Sequence, residues 1–78
     1  MPTVARFNRC RIAMYFGDHP PPHFHVITND DREAVYRIDT LELWEGEDVR
    51  DADEALVWAL ANRDELSARW QEYSEEES

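Results

Sequence analysis

Three consecutive prolines, Pro20–Pro22, constrain the fold of this chain more than any other feature. Proline has no backbone N–H to give to a sheet, and its ring disrupts a helix interior, so the run predicts a loop of polyproline-like shape. On one side Cys10–Phe16 alternates between apolar and other residues, and on the other His23–Thr28 is rich in β-forming residues. The sequence therefore predicts two strands joined through a proline loop.

Two further strands are predicted on either side of this pair. Thr3–Phe7 is short and rich in β-forming residues, and Asn8-Arg9 after it suits a tight turn. Asn29–Asp31 has the composition of a hairpin turn, because Asn and Asp side chains bond readily to nearby backbone groups. Glu33–Ile38 then alternates again and is predicted to be the fourth strand.

Residues 39–50 admit two interpretations. The segment Asp39–Glu42 has the pattern of a capping box that opens a short helical turn. Leu41 and Leu43, flanked by acidic residues, fit an edge strand equally well. Gly46 would end either element, so both alternatives stay open here.

The last third of the chain is predicted to be one long helix, Asp51–Tyr73. Asp51 is a good N-cap, and acidic residues follow in the first turn. The stripe is interrupted at Arg63, which allows a break near Asn62, and residues 74–78 are interpreted as a solvated acidic tail. Apolar residues recur at three- and four-residue steps, as on one face of a helix: Ala52, Leu56, Ala59 or Leu60, Leu66, Trp70 and Tyr73.

These elements predict an α+β fold in a single domain, residues 1–78. A small antiparallel sheet of three to five strands spans about residues 3–45, and the helix packs on one face of it. Cys10 is the only cysteine, which excludes an internal disulfide, and we interpret it as a small core residue. The start of the chain lacks a signal peptide's apolar run, and no stretch reaches the ~20 apolar residues of a membrane span, so a soluble cytoplasmic protein is expected.

Charge is distributed unevenly along the chain, whose net charge is −10. Residues 1–27 hold three arginines against one aspartate, whereas residues 28–78 hold five arginines against 17 acidic residues. An acidic body repels nucleic-acid phosphates and attracts a basic partner protein. Arg6, Arg9 and Arg11 are interpreted as a solvated sheet edge, with phosphate contact as the alternative.

Every histidine of the chain falls in one segment, Asp18–His25, with the sequence D-H-P-P-P-H-F-H. His23 and His25 are two apart on a predicted strand, so their side chains point to the same face. His19 lies across the proline run, and Asp18 beside it can orient an imidazole or serve as an oxygen ligand. This segment is the candidate functional site.

Three interpretations of the histidine segment compete. In the first, His19, His23 and His25, with Asp18, bind a divalent metal such as zinc, as in a hydrolase or nuclease. In the second, one of these histidines beside Asp18 is the catalytic acid or base, without a metal. In the third, which the residue pattern favours, the prolines stiffen a structural or partner-binding loop.

The aromatic residues offer weaker signals. Three tryptophans are many for so short a chain: Trp44, Trp58 and Trp70. Trp70 lies on the apolar stripe and is interpreted as core. Tyr15 and Phe16, before the loop, are also interpreted as core, with a place in the histidine patch as the alternative. Trp58 is on the flank of that stripe, where exposure would mark an interface, since tryptophan is enriched in binding hot spots.

The sequence resembles a prokaryotic family described as domain of unknown function family 4160. The resemblance covers nearly the whole chain, Met1 to Tyr73, and D-H-x-P-P-H-x-H is its most specific part; members often have glutamate at the position of Asp18. It rests on these segments: M-P-T-V at the start, R-I-A-M-Y-F, D-H-P-P-P-H-F-H-V, R-I-D-T-L-E-L and N-R-D-E-L-S-A-R-W-Q-E-Y.

The resemblance implies a component of gene pairs of the toxin–antitoxin type, encoded beside a second small protein, and it supplies no catalytic residues. We therefore expect a small protein–protein interaction component whose partner is a small, basic protein encoded nearby, or a second copy of the chain. The alternatives are a zinc-type hydrolase or nuclease built on the histidines, and a transcriptional regulator. The last is least favoured, because no helix-turn-helix pattern is present and the only long helix is acidic.

Overall fold

A computed structural model describes residues 3–15, 19–47 and 50–75 of the chain. Its five strands pair in sequence order as an antiparallel meander, which confirms an α+β fold and the upper end of the predicted strand number. The strands are β1 (Thr3–Arg6), β2 (Cys10–Ala13), β3 (His23–Thr28), β4 (Glu33–Arg37) and β5 (Leu43–Gly46). A 3₁₀ turn, Arg50–Ala52, leads into the helices α1 (Asp53–Ala61) and α2 (Arg63–Glu75).

Both predicted hairpin turns are confirmed. The N–H of Phe7 donates to the carbonyl of Cys10 at 2.8 Å and closes the β1–β2 turn. In the β3–β4 turn the N–H of Thr28 donates to the carbonyl of Arg32 at 2.8 Å, and the hydroxyl of Thr28 donates to the carboxylate of Asp30. Side chains that bond to their own turn therefore set the register of the central hairpin.

Of the two alternatives for residues 39–50, the edge strand is right and the capping box is wrong. Asp39 Oδ1 accepts the N–H of Thr40 at 2.8 Å, and the hydroxyl of Thr40 accepts the N–H of Glu42 at 3.3 Å. These local bonds form a turn, and the φ of 61° at Leu41 is incompatible with a helix. β5 then pairs with β4 and ends at Gly46, while residues 48 and 49 lie outside the described part.

One hydrophobic core lies between a single face of the sheet and the two helices. On β3 the alternation buries Phe24 and Val26, as the strand pattern predicts. Cys10 is buried in the same layer, and burial raises the pKa of its thiol above the ordinary value. The core residues are Cys10, Ile12, Met14, Phe24, Val26, Ala34, Tyr36, Ile38, Ala52, Ala55, Ala59, Leu66 and Tyr73.

The last third of the chain forms two helices instead of one long helix, and they are separated near Asn62, where the sequence allowed a break. Asn62 has φ −127° and ψ 31°, outside the helical region. Its N–H turns to the carbonyl of Ala59 at 3.2 Å, and its side-chain amide donates to the carbonyl of Trp58 at 2.8 Å. Its own carbonyl accepts the N–H of Leu66 at 3.1 Å, so one asparagine ends α1 and begins α2.

The helix start also differs from the prediction. α1 begins at Asp53, and its N-cap, Ala52, makes no side-chain cap bond. Asp51 lies in the 3₁₀ turn, where its carboxylate lies 3.5 Å from Arg9 and 3.7 Å from Arg32. The local pattern predicts that the Asp51 carboxylate caps the helix, but in the structure it pairs with one arginine from each hairpin turn.

The sequence places Ala59 or Leu60 on the apolar stripe; the structure selects Ala59, and Leu60 is 62 % exposed. Ala55 and Ala59 are fully buried on the side that faces the sheet. Because these side chains are small, α1 can approach β2 closely with its alanines facing the sheet. With the helix rotated in this way, Leu60 points outward. Among the described residues no helix is long and apolar enough to span a membrane.

Some predicted element ends also change. The strands predicted to end at Phe7 and Ile38 stop one residue earlier, and β2 ends at Ala13, whereas Phe16 lies outside the described residues. The prolines Pro20–Pro22 lie outside the strands, as predicted, and the Pro20–Pro21 peptide bond is cis. α2 extends to Glu75, and residues 76–78 of the predicted tail lie outside the described part.

Candidate functional site

His23 and His25 share one face of β3, as predicted. Their ring centroids are 5.3 Å apart with the planes at 63°, while Phe24 between them points into the core on the opposite face. Alternation along an extended strand is sufficient to produce this arrangement. The face that carries the imidazoles is therefore the sheet face turned away from the hydrophobic core.

A carboxylate orients His25. Nδ1 of His25 lies 2.6 Å from Oε2 of Glu33, and a carboxylate can only accept, so Nδ1 carries the hydrogen. In the β3–β4 ladder Glu33 lies opposite Ile27, which is two residues along the strand from His25 on the same face. Acid–base and metal-ligating histidines often have a carboxylate bonded to one ring nitrogen in this way. The bond leaves the other nitrogen of the neutral ring as the one that can accept a proton or bind a metal.

The proline loop orients His23. Nδ1 of His23 lies 2.7 Å from the carbonyl oxygen of Pro21 and donates to it, and the side chain is buried. The indole of Trp44, from β5, has its centroid 4.8 Å from the imidazole, and that of Trp70, from α2, lies 5.0 Å away. His23 therefore joins the loop, the edge strand and the last helix.

Tyr15 completes an imidazole–aromatic cluster, which we define as Tyr15, His23, His25, Trp44 and Trp70. Its ring meets the ring of His25 edge-on, with centroids 4.5 Å apart and planes at 86°. Of the two interpretations of Tyr15, this contact fits the histidine patch and not core packing. The cluster ties β3 to β5 and α2 through ring contacts.

Sequence reasoning missed Glu33 as the partner of an imidazole. The signal was present, because the Asn29–Asp31 turn sets the β3–β4 register, and the register places Glu33 diagonally across from His25. Trp44 carried no such signal, since residues 39–50 allowed two structures. Trp70 lies partly buried against the core as predicted, but its contact with His23 depends on the direction of α2.

His19 lies exposed in the loop, before the first proline, and Asp18 lies outside the described residues. Over residues 3–15, 19–47 and 50–75, no group of three His, Cys, Asp or Glu side chains is arranged to hold a metal ion. Metal binding by His19, His23 and His25 stays a prediction. Because both Nδ1 atoms of the strand pair point to oxygen acceptors, a metal on this pair would bind the Nε2 atoms.

Residues 10–71 match a family model described as a domain of unknown function, DUF4160. The match spans more than half of the chain and contains the histidine segment, β2 to β5 and α1. No curated protein and no solved structure matches the chain.

Proposed function

We propose that this chain, which belongs to the DUF4160 family, is the acidic interaction component of a prokaryotic two-gene module of the toxin–antitoxin type. Its partner in this proposal is a small basic protein encoded nearby. A cytoplasmic location accords with the role, because the free thiol of Cys10 suits a reducing compartment.

The outer face of α1 carries the proposal. Val57 is 71 % exposed and Leu60 is 62 % exposed, and their three-residue spacing places them on the same side of the helix. Ala55 and Ala59 occupy the other side, in the core. Neighbouring apolar side chains exposed on the side of a helix opposite the core mark an interaction site, so the outer face of α1 has the character of a docking surface.

An aromatic pair borders this face. The rings of Phe7 and Trp58 meet edge-on with centroids 6.2 Å apart, and Trp58 is only partly buried. Together with Val57 they line a shallow depression of about 450 Å³, whose remaining walls are Asp53 and Glu54. An apolar floor with acidic walls fits an apolar anchor flanked by basic side chains.

The occupant that this chemistry favours is a basic amphipathic helix of the partner. Its apolar side chains would cover Val57 and Leu60, and its Arg or Lys residues would face Asp53 and Glu54. A second copy of the chain is disfavoured here, because it would bring the same carboxylates together on molecules of net charge −10.

Co-expression with each neighbouring gene, followed by co-purification, tests the proposal. In the expected complex, V57S and L60S weaken binding at least tenfold without unfolding the chain, because both positions are exposed. L43S is the matched control, since Leu43 is an exposed leucine, at 41 %, on the distant edge strand β5. Failure of every neighbour to form a complex, or equal loss of binding in the control, would overturn it.

A second candidate, acid–base or metal-dependent hydrolysis by the histidine segment, is favoured by one observation, the bond between His25 and Glu33. The comparison is between untagged wild-type protein and a variant with His19, His23 and His25 all changed to alanine. Metal bound only by the wild type supports the metal form. Equal metal content in both proteins contradicts it.

A further inference from the structure

Arg6 and Arg11 lie directly opposite each other in the β1–β2 ladder. Directly opposed residues point to the same sheet face, with Cβ atoms about 4.5–5.5 Å apart, and like charges in such a pair destabilise the ladder. The chain thus places two cations together although its acidic residues far outnumber its basic ones.

The contrast with the other arginines sharpens this observation. Of the other six arginines, Arg50 and Arg63 have no carboxylate within 4.0 Å among the described residues, but four have such partners: Arg9, Arg32, Arg37 and Arg69. Within residues 3–15, 19–47 and 50–75, neither Arg6 nor Arg11 has a carboxylate within 4.0 Å. A charge on an edge strand discourages pairing with other chains. That accounts for Arg6 on β1 but not for Arg11, because β2 is paired on both sides.

The two arginines share a polar depression of about 260 Å³, at the end of the sheet where the two hairpin turns meet. Thr28 and Asn29 also line it, but the hydroxyl of Thr28 bonds to Asp30 and the amide of Asn29 to the carbonyl of Asn8. The donors available to a ligand are therefore the guanidinium groups. A guanidinium binds an oxyanion through two parallel N–H bonds.

Asp31 lines the same depression and narrows the choice of anion. A carboxylate repels an anion that has no hydrogen, such as sulfate, but accepts a hydrogen bond from a singly protonated phosphate. Phosphate monoesters lose their second proton near neutral pH, so the protonated form is available there. A polyanionic nucleic acid is disfavoured, because the acidic body of the chain repels it.

We propose that Arg6 and Arg11 form a binding site for a small phosphate monoester, with Asp31 selecting the protonated form. The site uses β1, β2 and the central turn, and it does not depend on the partner proposed for α1. Its test can therefore fail or succeed independently of the complex.

Calorimetric titration of the untagged full chain with inorganic phosphate, slightly below neutral pH and at low ionic strength, tests the site. Saturable binding and a raised melting temperature are expected. R6Q and R11Q should each lower the affinity for phosphate at least tenfold. R11K keeps the positive charge but not the paired N–H donors of a guanidinium, so its affinity should fall less. R37Q is the matched control, because Arg37 is paired with Asp39 at 2.8 Å, and it binds phosphate like the wild type.

Sulfate tests the role of Asp31. The wild type is expected to bind sulfate at least tenfold more weakly than phosphate, and D31N to bind both equally; asparagine tolerates the φ of 66° at this position. Absence of saturable phosphate binding, or an equal loss in R37Q, would overturn the site. Equal sulfate and phosphate affinity in the wild type would overturn the selection by Asp31.

Discussion

The Nδ1 atom of His25 lies 2.6 Å from the Oε2 atom of Glu33, across the hairpin that joins β3 to β4. The bond orients the more exposed imidazole of the strand pair, while a backbone carbonyl of the proline loop orients the other, His23. One imidazole is therefore held by a charged carboxylate and its neighbour by an uncharged backbone carbonyl. A substitution that removes the carboxylate should change His25 and leave His23 unchanged.

We expect E33A to change the tautomer of His25. In the wild type the carboxylate holds the hydrogen on Nδ1 of the neutral ring, and without it the Nε2–H form gains population. Nitrogen–proton correlation spectra of the imidazoles, recorded at mildly alkaline pH, distinguish the two forms. His23 is the internal control and keeps its Nδ1–H on Pro21; an unchanged His25 spectrum would contradict the assignment.

Gly46 is expected to be intolerant of any side chain. Its φ is +84°, and an added Cβ would collide with the carbonyl oxygen of Glu33 and lie 3.1 Å from Cα of Ala34. G46A should lower the free energy of unfolding by about 2 kcal/mol or more, from the left-handed backbone and the displaced β4–β5 pairing. Urea denaturation measures it, and E45A on the same exposed strand should change stability far less.

Stability should fall at acid pH through Asp30 and Asp39. The hydroxyl of Thr28, and then Arg32, hold the pKa of Asp30 below its ordinary value of 3.8, and Arg37 does the same for the pKa of Asp39. Because these folded pKa values are depressed, the stabilisation is complete above 3.8 and is lost as the pH falls below it.

Urea midpoints measured across this acid range check the prediction. Below the ordinary aspartate pKa of 3.8, the free energy of unfolding should fall less steeply with pH in D39N than in the wild type. T28V should have the same effect, because it removes the hydroxyl that lowers the pKa of Asp30. D53N is a suitable comparison, because Asp53 is exposed in the first turn of α1 and, within the described residues, pairs with neither Arg32 nor Arg37. A steep acid loss that neither D39N nor T28V alters would show that other groups control it.

Replacement of Arg63 by methionine should stabilise the protein. The Nε of Arg63 is buried and has no hydrogen-bond partner among the described residues, and the residue begins α2, where a cation opposes the helix dipole. Removal of an unsatisfied buried donor is worth about 1 kcal/mol. R69M is the contrasting variant: Arg69 bonds to Glu65 and Tyr73, so its loss should destabilise.

Much of the sheet could be predicted from local patterns. The turns at Asn8-Arg9 and Asn29–Asp31 and the alternation of β2, β3 and β4 follow from side-chain chemistry that acts over a few residues. The same-face pair of His23 and His25 follows from the strand period alone. These features were predictable because each depends on neighbours in sequence.

The candidate site was less predictable because its aromatic partners, Trp44 and Trp70, come from distant segments. Glu33 reaches His25 through a strand register, and Trp44 and Trp70 reach His23 from an edge strand and a helix. Leu60 faces outward because small alanines set the rotation of α1 against the sheet, which the apolar spacing alone could not decide.

The sequence by itself determined the positions of β1 to β4, the two hairpin turns and which residues of β3 face the core. Only the tertiary structure decided that Asp51 pairs with Arg9 and Arg32 instead of capping, that the helical third breaks at Asn62, and that Trp44 and Trp70 meet His23. The physical reason is that hydrogen bonds and alternation within a few residues need only local geometry. Ion pairs, ring contacts and helix rotation depend on how separate elements pack, where burial and charge compete across the whole domain.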